Sequence, residues 1–465
     1  MANPIQYTPI PYEPPEAIFQ RLQSQSNILF LDSALQTADT GRYSFIGIDP
    51  VEVIVGQGER VTTPQGTQYC EDPFAFMQTW LQASMTDPLP DLPPFQCGLA
   101  GVCSYDSLRY YHPITLQRSS GYYDWAMAYY DLIVSFDHVT QQAWIVANGY
   151  PESSLSRRIQ RATQRIATWL PHVTEPINMH PSKLVCSPLQ ANFTTAGYQQ
   201  AVQQAKDYIR EGDIFEVNLA QRFTAEYTGD PAQWYQRLRA INPAPFAGYT
   251  NLAGTHILSS SPERFIRLSG RDIEARPIKG TMARNICPQQ DRIQARTLEQ
   301  STKDRAENIM IVDLMRNDLS RVSDSSSVKV PTICGVETYA NVHHLVSVIT
   351  SRLTAGASAS DLLRATFPAG SITGAPKNRA MEIIALLEPH NRGPYCGSMG
   401  YMSSTGDMDW NVMIRSVVMQ EGTLHIHSGG AVTLHSCPQT EYEETVTKVM
   451  KLAESLGVTL TTGAH

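Results

Sequence analysis

Two periods of hydrophobic and polar positions run along this chain. The stretches ERVTTPQGTQY (59–69) and AMAYYDLIVSFDHVTQQAWIVANGY (126–150) carry aromatic and β-branched residues broken by turn residues. That pattern predicts strands joined by turns. PESSLSRRIQRATQRIATWL (151–170) repeats at helical spacing instead, with Leu155, Ile159, Ile166 and Leu170 on one face. Residues 171–192 hold four prolines (171, 176, 181, 188) and little periodicity, and read as a linker. NFTTAGYQQAVQQAKDYIREGD then predicts a helix through Tyr198, Val202, Ala205 and Ile209, with Thr194 or Thr195 as cap and Gly212 as stop. IFEVNLAQRF follows as a strand. Further helices are predicted near 291–319, 358–366, 376–388 and 439–456, and strands near 255–268, 394–404, 408–419 and 423–433. The two do not alternate regularly enough for a doubly wound sheet. The expected class is α+β, with antiparallel sheets and helices outside, in regions 1–170 and 193–460.

Composition narrows the classes of function. At 465 residues, 42% hydrophobic and 17% charged, the chain is too apolar for disorder and long enough for two to three domains or one large fused one. Lys+Arg 36 against Asp+Glu 44 leaves a net −8, which argues against nucleic acid or an anionic membrane as main partner. A small anionic substrate in a locally basic pocket is still allowed. The eight cysteines (70, 97, 103, 186, 287, 334, 396, 437) form no C-x-x-C pair. They read as buried structural thiols in a reducing compartment. The start, MANPIQYTPIPYEPPEA, lacks the features of a signal peptide, and no apolar run reaches the roughly 18–20 residues of a membrane span. The expectation is a soluble cytoplasmic protein, or a stromal one whose targeting peptide is absent.

Four clusters in the second region carry candidate chemistry. In ARPIKGTMAR (275–284), Lys279 precedes a glycine that permits close backbone approach and a threonine hydroxyl. The lysine could serve as a nucleophile if burial or nearby cations lower its pKa; otherwise it is an exposed turn lysine. Asp304 with Glu307, and Glu441 with Glu444, stand at i,i+3 on helical stretches. Two such helices face to face could offer four carboxylates to Mg²⁺, which takes one or two directly and keeps waters; a solvated acidic face is the plainer alternative. TFPAGSITGAPKNRAMEII (366–384) is a small-residue loop entering a helix, a place that favours an anionic group. In NVMIRSVVMQEGTLHIHSGGAVTLHS, Arg415 falls in an apolar strand, a turn at EG follows, and Gly429-Gly430 offers bare backbone amides. His343-His344 adds a candidate acid or base.

These strings recur together in one known setting. GDIFEVNLAQRF, SPERF, PIKGT, DRAENIMIVDLMRNDL, VHHLVS, FPAGSITGAPK, YCGSMGY and EYEETVTK, in that order, resemble the chorismate-utilising family. It includes the large subunits of anthranilate synthase and aminodeoxychorismate synthase, with isochorismate and salicylate synthases as relatives. The match covers about 195–455, and FLDSALQTADTGRYSFIG and CGLAGVCSYD resemble the family's N-terminal region. The resemblance implies the anthranilate synthase component I-like fold, large antiparallel sheets packed as a sandwich with helices outside. It makes 1–170 the N-terminal region and 193–460 the chorismate-binding catalytic domain.

Lys279 stands where aminodeoxychorismate synthases carry lysine and anthranilate synthases typically carry alanine. Gln221 stands where isochorismate and salicylate synthases place a water-activating lysine. The resemblance thus implies Mg²⁺-dependent amination of chorismate at C4, through a covalent intermediate on Lys279, in 4-aminobenzoate and folate synthesis. An anthranilate synthase large subunit, or a bifunctional one, is the alternative. The roles implied are Lys279 as nucleophile, Glu263 as general acid with a raised pKa, and His344 as a pocket residue orienting substrate or moving a proton. Glu307 and Glu444 would bind Mg²⁺ directly, and Asp304 and Glu441 through waters. Arg415, Tyr395, Lys448, the Gly280-Thr281 amides and the Gly429 region would hold the ring and the enolpyruvyl carboxylate. Ala431 replaces a family glycine whose amide would contact substrate, which is tolerable only at negative φ. FLDS resembles a stretch lining a tryptophan pocket in anthranilate synthase, but Phe246-Ala247 departs from the matching Tyr-Met. GVCSYD lacks the second glycine of a glutaminase elbow. A separate glutamine amidotransferase small subunit is therefore expected to supply ammonia.

Overall fold

A computed structural model describes residues 3–116, 120–176, 182–339 and 342–461. Two large sheets, of fourteen and twelve strands, lie face to face. The paired strands are antiparallel except for Leu189–Ala191 beside Leu460–Thr461. The packing follows from side-chain alternation. In the strand Trp125–Tyr130, Ala126, Ala128 and Tyr130 enter the cluster between the sheets, with Phe45, Ile257, Tyr401 and Val418. Trp125, Met127 and Tyr129 point the other way, into a cluster with helices Pro73–Gln82, Thr302–Ser320 and Ala359–Thr366. The fourteen-stranded sheet is covered on its outer face by Pro15–Leu22, Leu155–Thr174, Pro231–Ile241 and Pro438–Leu456. The expected α+β sandwich with outer helices is what forms.

Both sheets contain strands from before 171 and after 192. The stretch 171–192 holds the last turn of the Leu155–Thr174 helix and two short strands, Val185–Cys186 and Leu189–Ala191, paired to Glu216–Thr228. Residues 177–181 of it lie outside the described residues.

Three expected elements divide, each for a local reason. The helix near 291–319 is two, Pro288–Gln300 and Thr302–Ser320. Between them Ser301 takes an extended conformation and its hydroxyl accepts from Asp304 N, because serine serves better as a cap than inside a helix. The strand near 255–268 is His256–Ser261 in the fourteen-stranded sheet and Arg264–Ser269 in the other, with Pro262-Glu263 crossing between them. The strand near 408–419 divides in the same way, into Met408–Asn411 and Ser416–Gln420. Arg415 therefore lies not inside a strand but in the crossing, at φ 53°. The Glu421-Gly422 turn appears as expected, with both φ positive (50° and 78°). Thr194 caps its helix by accepting from Gly197 N. Cys287 and Cys437 are exposed and Cys186 is half-buried, rather than buried, and all eight thiols are free.

Candidate active site

The site forms where neighbouring strands change sheets. His256–Ser261 lies beside Ser416–Gln420 in one sheet, and Arg264–Ser269 beside Met408–Asn411 in the other. The two crossings are consequently adjacent, which brings Glu263 within electrostatic reach of Arg415. Arg415 makes no ion pair or side-chain hydrogen bond among the described residues, and burial with too little compensating charge lowers its pKa. Glu263 is buried, and desolvation pushes its carboxyl up to about 7 against the opposing effects of a Ser371 hydrogen bond, Lys279 and Arg415. Ser371 Oγ donates to Glu263 Oε1 at 2.5 Å.

Lys279 lies in the strand Ile278–Ala283, also buried, and its Nζ donates to Glu216 Oε1 at 2.5 Å. Burial by itself would drive the proton off. The charges of Glu216 and Glu307, the hydrogen bond and Glu263 outweigh burial and hold the ammonium above its usual range. The expectation that burial or cations lower this pKa is thus corrected: Lys279 is ringed by carboxylates. Glu216 was not singled out from the sequence, although it stands inside GDIFEVNLAQRF. Its signal was an acidic residue between two apolar ones, Phe215 and Val217, at a strand start. It is fully buried, and Oε2 has no hydrogen-bond partner among the described residues.

His343 and His344 separate by strand alternation. His343 engages Asp291 Oδ1 (3.0 Å) and Thr338 Oγ1 (2.9 Å). His344 meets Thr281 Oγ1 through Nδ1 (2.8 Å) and leaves Nε2 buried without a partner among the described residues. Burial first, then the charge of Arg415, hold His344 neutral.

Gly280 has φ +80°, and a Cβ there would stand 3.0 Å from Asp304 Cβ and Leu298 Cδ1. Its lack of a side chain therefore lets the Lys279 strand approach the first turn of the Thr302–Ser320 helix. On that helix Glu307 is buried, Oε1 accepts no hydrogen bond among the described residues, and burial pushes its pKa up to about 7. Lys303 Nζ comes to 3.9 Å of the same oxygen. Across the site, a Cβ on Gly430 would stand 3.1 Å from Glu441 Oε2 and 3.5 Å from Glu444 Oε1, so both carboxylates approach one glycine. Burial, then Glu444, raise Glu441. Glu444 is half exposed; the desolvation it does undergo acts in the same direction, but Lys448 at 2.7 Å overcomes it and lowers the pKa. Lys448 Nζ also donates to Gly429 O at 2.8 Å.

Among the described residues no group of three or more His, Cys, Asp or Glu side chains closes into a metal cage. Asp304 with Glu307, and Glu441 with Glu444, are nonetheless the kind of donor pair that suits a hard cation taking only one or two carboxylates directly. Their donors are all oxygen, Glu307 Oε1 is orphaned, and Glu307 and Glu441 carry charge that burial penalises.

Tyr395, Ala431 and Gln221 are the remaining expected positions. Tyr395 stacks on His427 with centroids 5.0 Å apart and 8° between planes. Ala431 lies in the strand Thr423–Val432 opposite Asn218 and is not among the positive-φ residues, so the alanine is unstrained. Gln221 is buried, and its Nε2 donates to Thr445 Oγ1 at 2.5 Å. The helix after the small-residue loop, Lys377–Leu387, starts at a buried lysine. Lys377 there folds back onto Asp318 (2.5 Å) and the carbonyls of Thr366 and Pro368 (2.8 Å each). A separate cavity of about 660 Å³ is lined by Asp32, Ser33, Phe246 and Ala247, the positions likened to a tryptophan pocket.

Comparison with known proteins gives a consistent result. A family model described as chorismate binding enzyme matches residues 30–454. Aminodeoxychorismate synthase component 1 of Salmonella typhimurium is 42% identical over 421 residues, covering 89% of this chain and 90% of the relative. The protein of the same name from Klebsiella aerogenes is 38% identical over 455 residues, covering 96% and 98%. The crystal structure of anthranilate synthase component I from Streptococcus pneumoniae superposes with a TM-score of 0.77 at 29% identity, covering 90% of this chain and 93% of that one.

Proposed function

The chain belongs to the chorismate binding enzymes, and we propose that within this family it aminates chorismate at C4 to give 4-amino-4-deoxychorismate. The observation that carries the reading is Lys279, a buried amine held between Glu216, Glu307 and Glu263. An alanine there would leave ammonia to add directly at C2, the route to anthranilate. The two relatives named aminodeoxychorismate synthase component 1 support the same choice.

The residues then act as follows. Lys279 is an ammonium at rest and must lose a proton to become a nucleophile; Glu216, in direct contact, accepts it. The freed amine bonds to C2 while the C4–O bond breaks, and Glu263 gives its proton to the departing hydroxyl, which leaves as water. Ammonia adds at C4, the C2–N bond breaks, Glu263 takes back a proton from the new ammonium, and Glu216 returns its proton to Lys279. Arg415 faces this centre with an unpaired guanidinium suited to a substrate carboxylate, and the neutral His344 offers Nε2 to the substrate. Glu307 and Glu444 would hold Mg²⁺, with Asp304 and Glu441 behind them. When bound, the ion offsets the charge of the ring carboxylate.

The words "component 1" in the relatives' names imply a second component, which we take to be a glutamine amidotransferase supplying ammonia. A place in 4-aminobenzoate and folate synthesis, in the cytoplasm, belongs to the same proposal. Among the described residues no helix is long and apolar enough to cross a membrane.

The test is to incubate the purified chain with chorismate, Mg²⁺ and ammonium at mildly alkaline pH, and to separate products by mass and fluorescence. A product that retains the enolpyruvyl group, and that an added lyase converts to 4-aminobenzoate, supports the reading. Fluorescent anthranilate without lyase would transfer it to the anthranilate synthase alternative.

A further inference from the structure

The loop 366–377 touches the catalytic centre from behind, and its anchoring exceeds what a helix entrance needs. Lys377 is buried with all three ammonium hydrogens used, on Asp318 Oδ2 and the carbonyls of Thr366 and Pro368. Arg392 Nη1 donates to Ile372 O at 2.8 Å, and Asn218 N donates to Thr373 O at 2.8 Å. Gly374 and Ala375 pair with Val217 and Glu216. Between these anchors, the short turn Gly370–Ile372 presents Ser371.

The Ser371 hydroxyl has one hydrogen to give and, among the described residues, one acceptor, Glu263 Oε1. Among the described residues no other side chain donates to that carboxyl. A carboxyl oxygen that accepts from a hydroxyl does not also carry the acidic proton along that line.

We propose that Ser371 is a positioning residue for the general acid: by donating to Oε1 it places the catalytic proton of Glu263 on Oε2, the oxygen turned away from the loop. The proton then moves from Oε2 to the C4 hydroxyl oxygen as the C4–O bond breaks and water leaves. The inference rests on the assignment of Glu263 as acid. The charged and titratable groups facing Glu263 are the cationic Lys279 and Arg415 with Tyr339 and Cys396, and the Ile278 backbone N–H also donates to the carboxyl; among the described residues Ser371 supplies the only hydrogen bond that a side chain makes to it. A donor to the carboxylate lowers its pKa, and removing the donor raises it.

The experiment compares the wild type with Ser371→Ala, Ser371→Thr and Glu263→Gln, following C4-aminated product from chorismate and ammonium across pH. For Ser371→Ala the expected result is a kcat about tenfold to a hundredfold lower, the range for a hydrogen bond to a charged group. KM for chorismate should stay within about threefold, and the alkaline limb of kcat should move up by about one pH unit. Ser371→Thr should restore both. An Ser371→Ala enzyme with wild-type kcat and an unmoved limb overturns the proposal. If Glu263→Gln retains full activity, the general-acid assignment fails instead, which separates the two. The infrared carboxyl band lost in Glu263→Gln gives a reading independent of turnover. It should titrate at higher pH in Ser371→Ala, and an unchanged titration also overturns the proposal.

Discussion

Lys279 Nζ and Glu216 Oε1 lie 2.5 Å apart with both side chains buried, one from a strand of the twelve-stranded sheet and one from a strand of the fourteen-stranded sheet. The pair joins the sheets at the point where chemistry is expected. A proton can pass within it without any change of net charge in a low-dielectric site, whereas neither partner is well accommodated alone.

Replacing Lys279 by alanine therefore has two separable effects. C4 amination is expected to fall below detection, with leakage toward anthranilate, read by mass and fluorescence. Stability is expected to fall by about 3 kcal/mol, because Glu216 is left buried without its partner. Lys279→Ala with Glu216→Gln should recover most of the melting temperature but none of the C4 amination.

Glu263, held up to about 7, sets an alkaline limb. Its acid form is the working one, so kcat/KM should decline as pH rises through about 7, in a profile taken under saturating ammonia.

The same shift makes stability depend on pH. The folded carboxyl keeps its proton from the ordinary glutamate value of 4.5 up to about 7, while the unfolded one has lost it. Native protein binds the extra proton in that window, so stability falls as pH rises across it, by about 3 kcal/mol in total. Glu263→Gln should flatten the slope of melting temperature against pH between those values, measured by calorimetry.

The acidic pair of helices predicts an opposite response to metal and to mutation. Chelation should abolish activity, and added Mg²⁺ should raise the melting temperature of wild type. Without Mg²⁺, Glu307→Gln should be more stable than wild type by on the order of 2 kcal/mol, since it removes a buried, penalised charge. It should also lose the Mg²⁺-induced rise.

Gly280→Ala tests the close approach of strand and helix. A left-handed φ costs about 1–2 kcal/mol for alanine. The Cβ would also press on Asp304 and Leu298 at 3.0 Å, so the melting temperature should drop and the Mg²⁺ requirement for half-maximal activity should increase.

Much of this protein is legible along the chain because its signals are local. The cap at Thr194, the turn at Glu421-Gly422 and the i,i+3 carboxylates of two helices follow from spacing and backbone preference, and they appear as expected. So does the class, since strand alternation and amphipathic helices decide which faces must be covered. What escaped are relations between segments far apart in sequence. That Pro262-Glu263 and Arg415 occupy neighbouring crossings depends on which strands pair, and hydrophobic runs of one period look continuous across such a crossing. Lys279 reads as a turn lysine or a nucleophile until Glu216, 63 positions away, is set against it. Its protonation is decided by whether burial or the surrounding carboxylates weigh more. Sequence alone determined most of the secondary elements, the α+β class and most of the inventory of reactive groups, because each depends on neighbours within a few residues. Only the tertiary structure decided which of those groups meet and what charge they carry, because electrostatic energies in a buried site depend on distances that no spacing along the chain encodes.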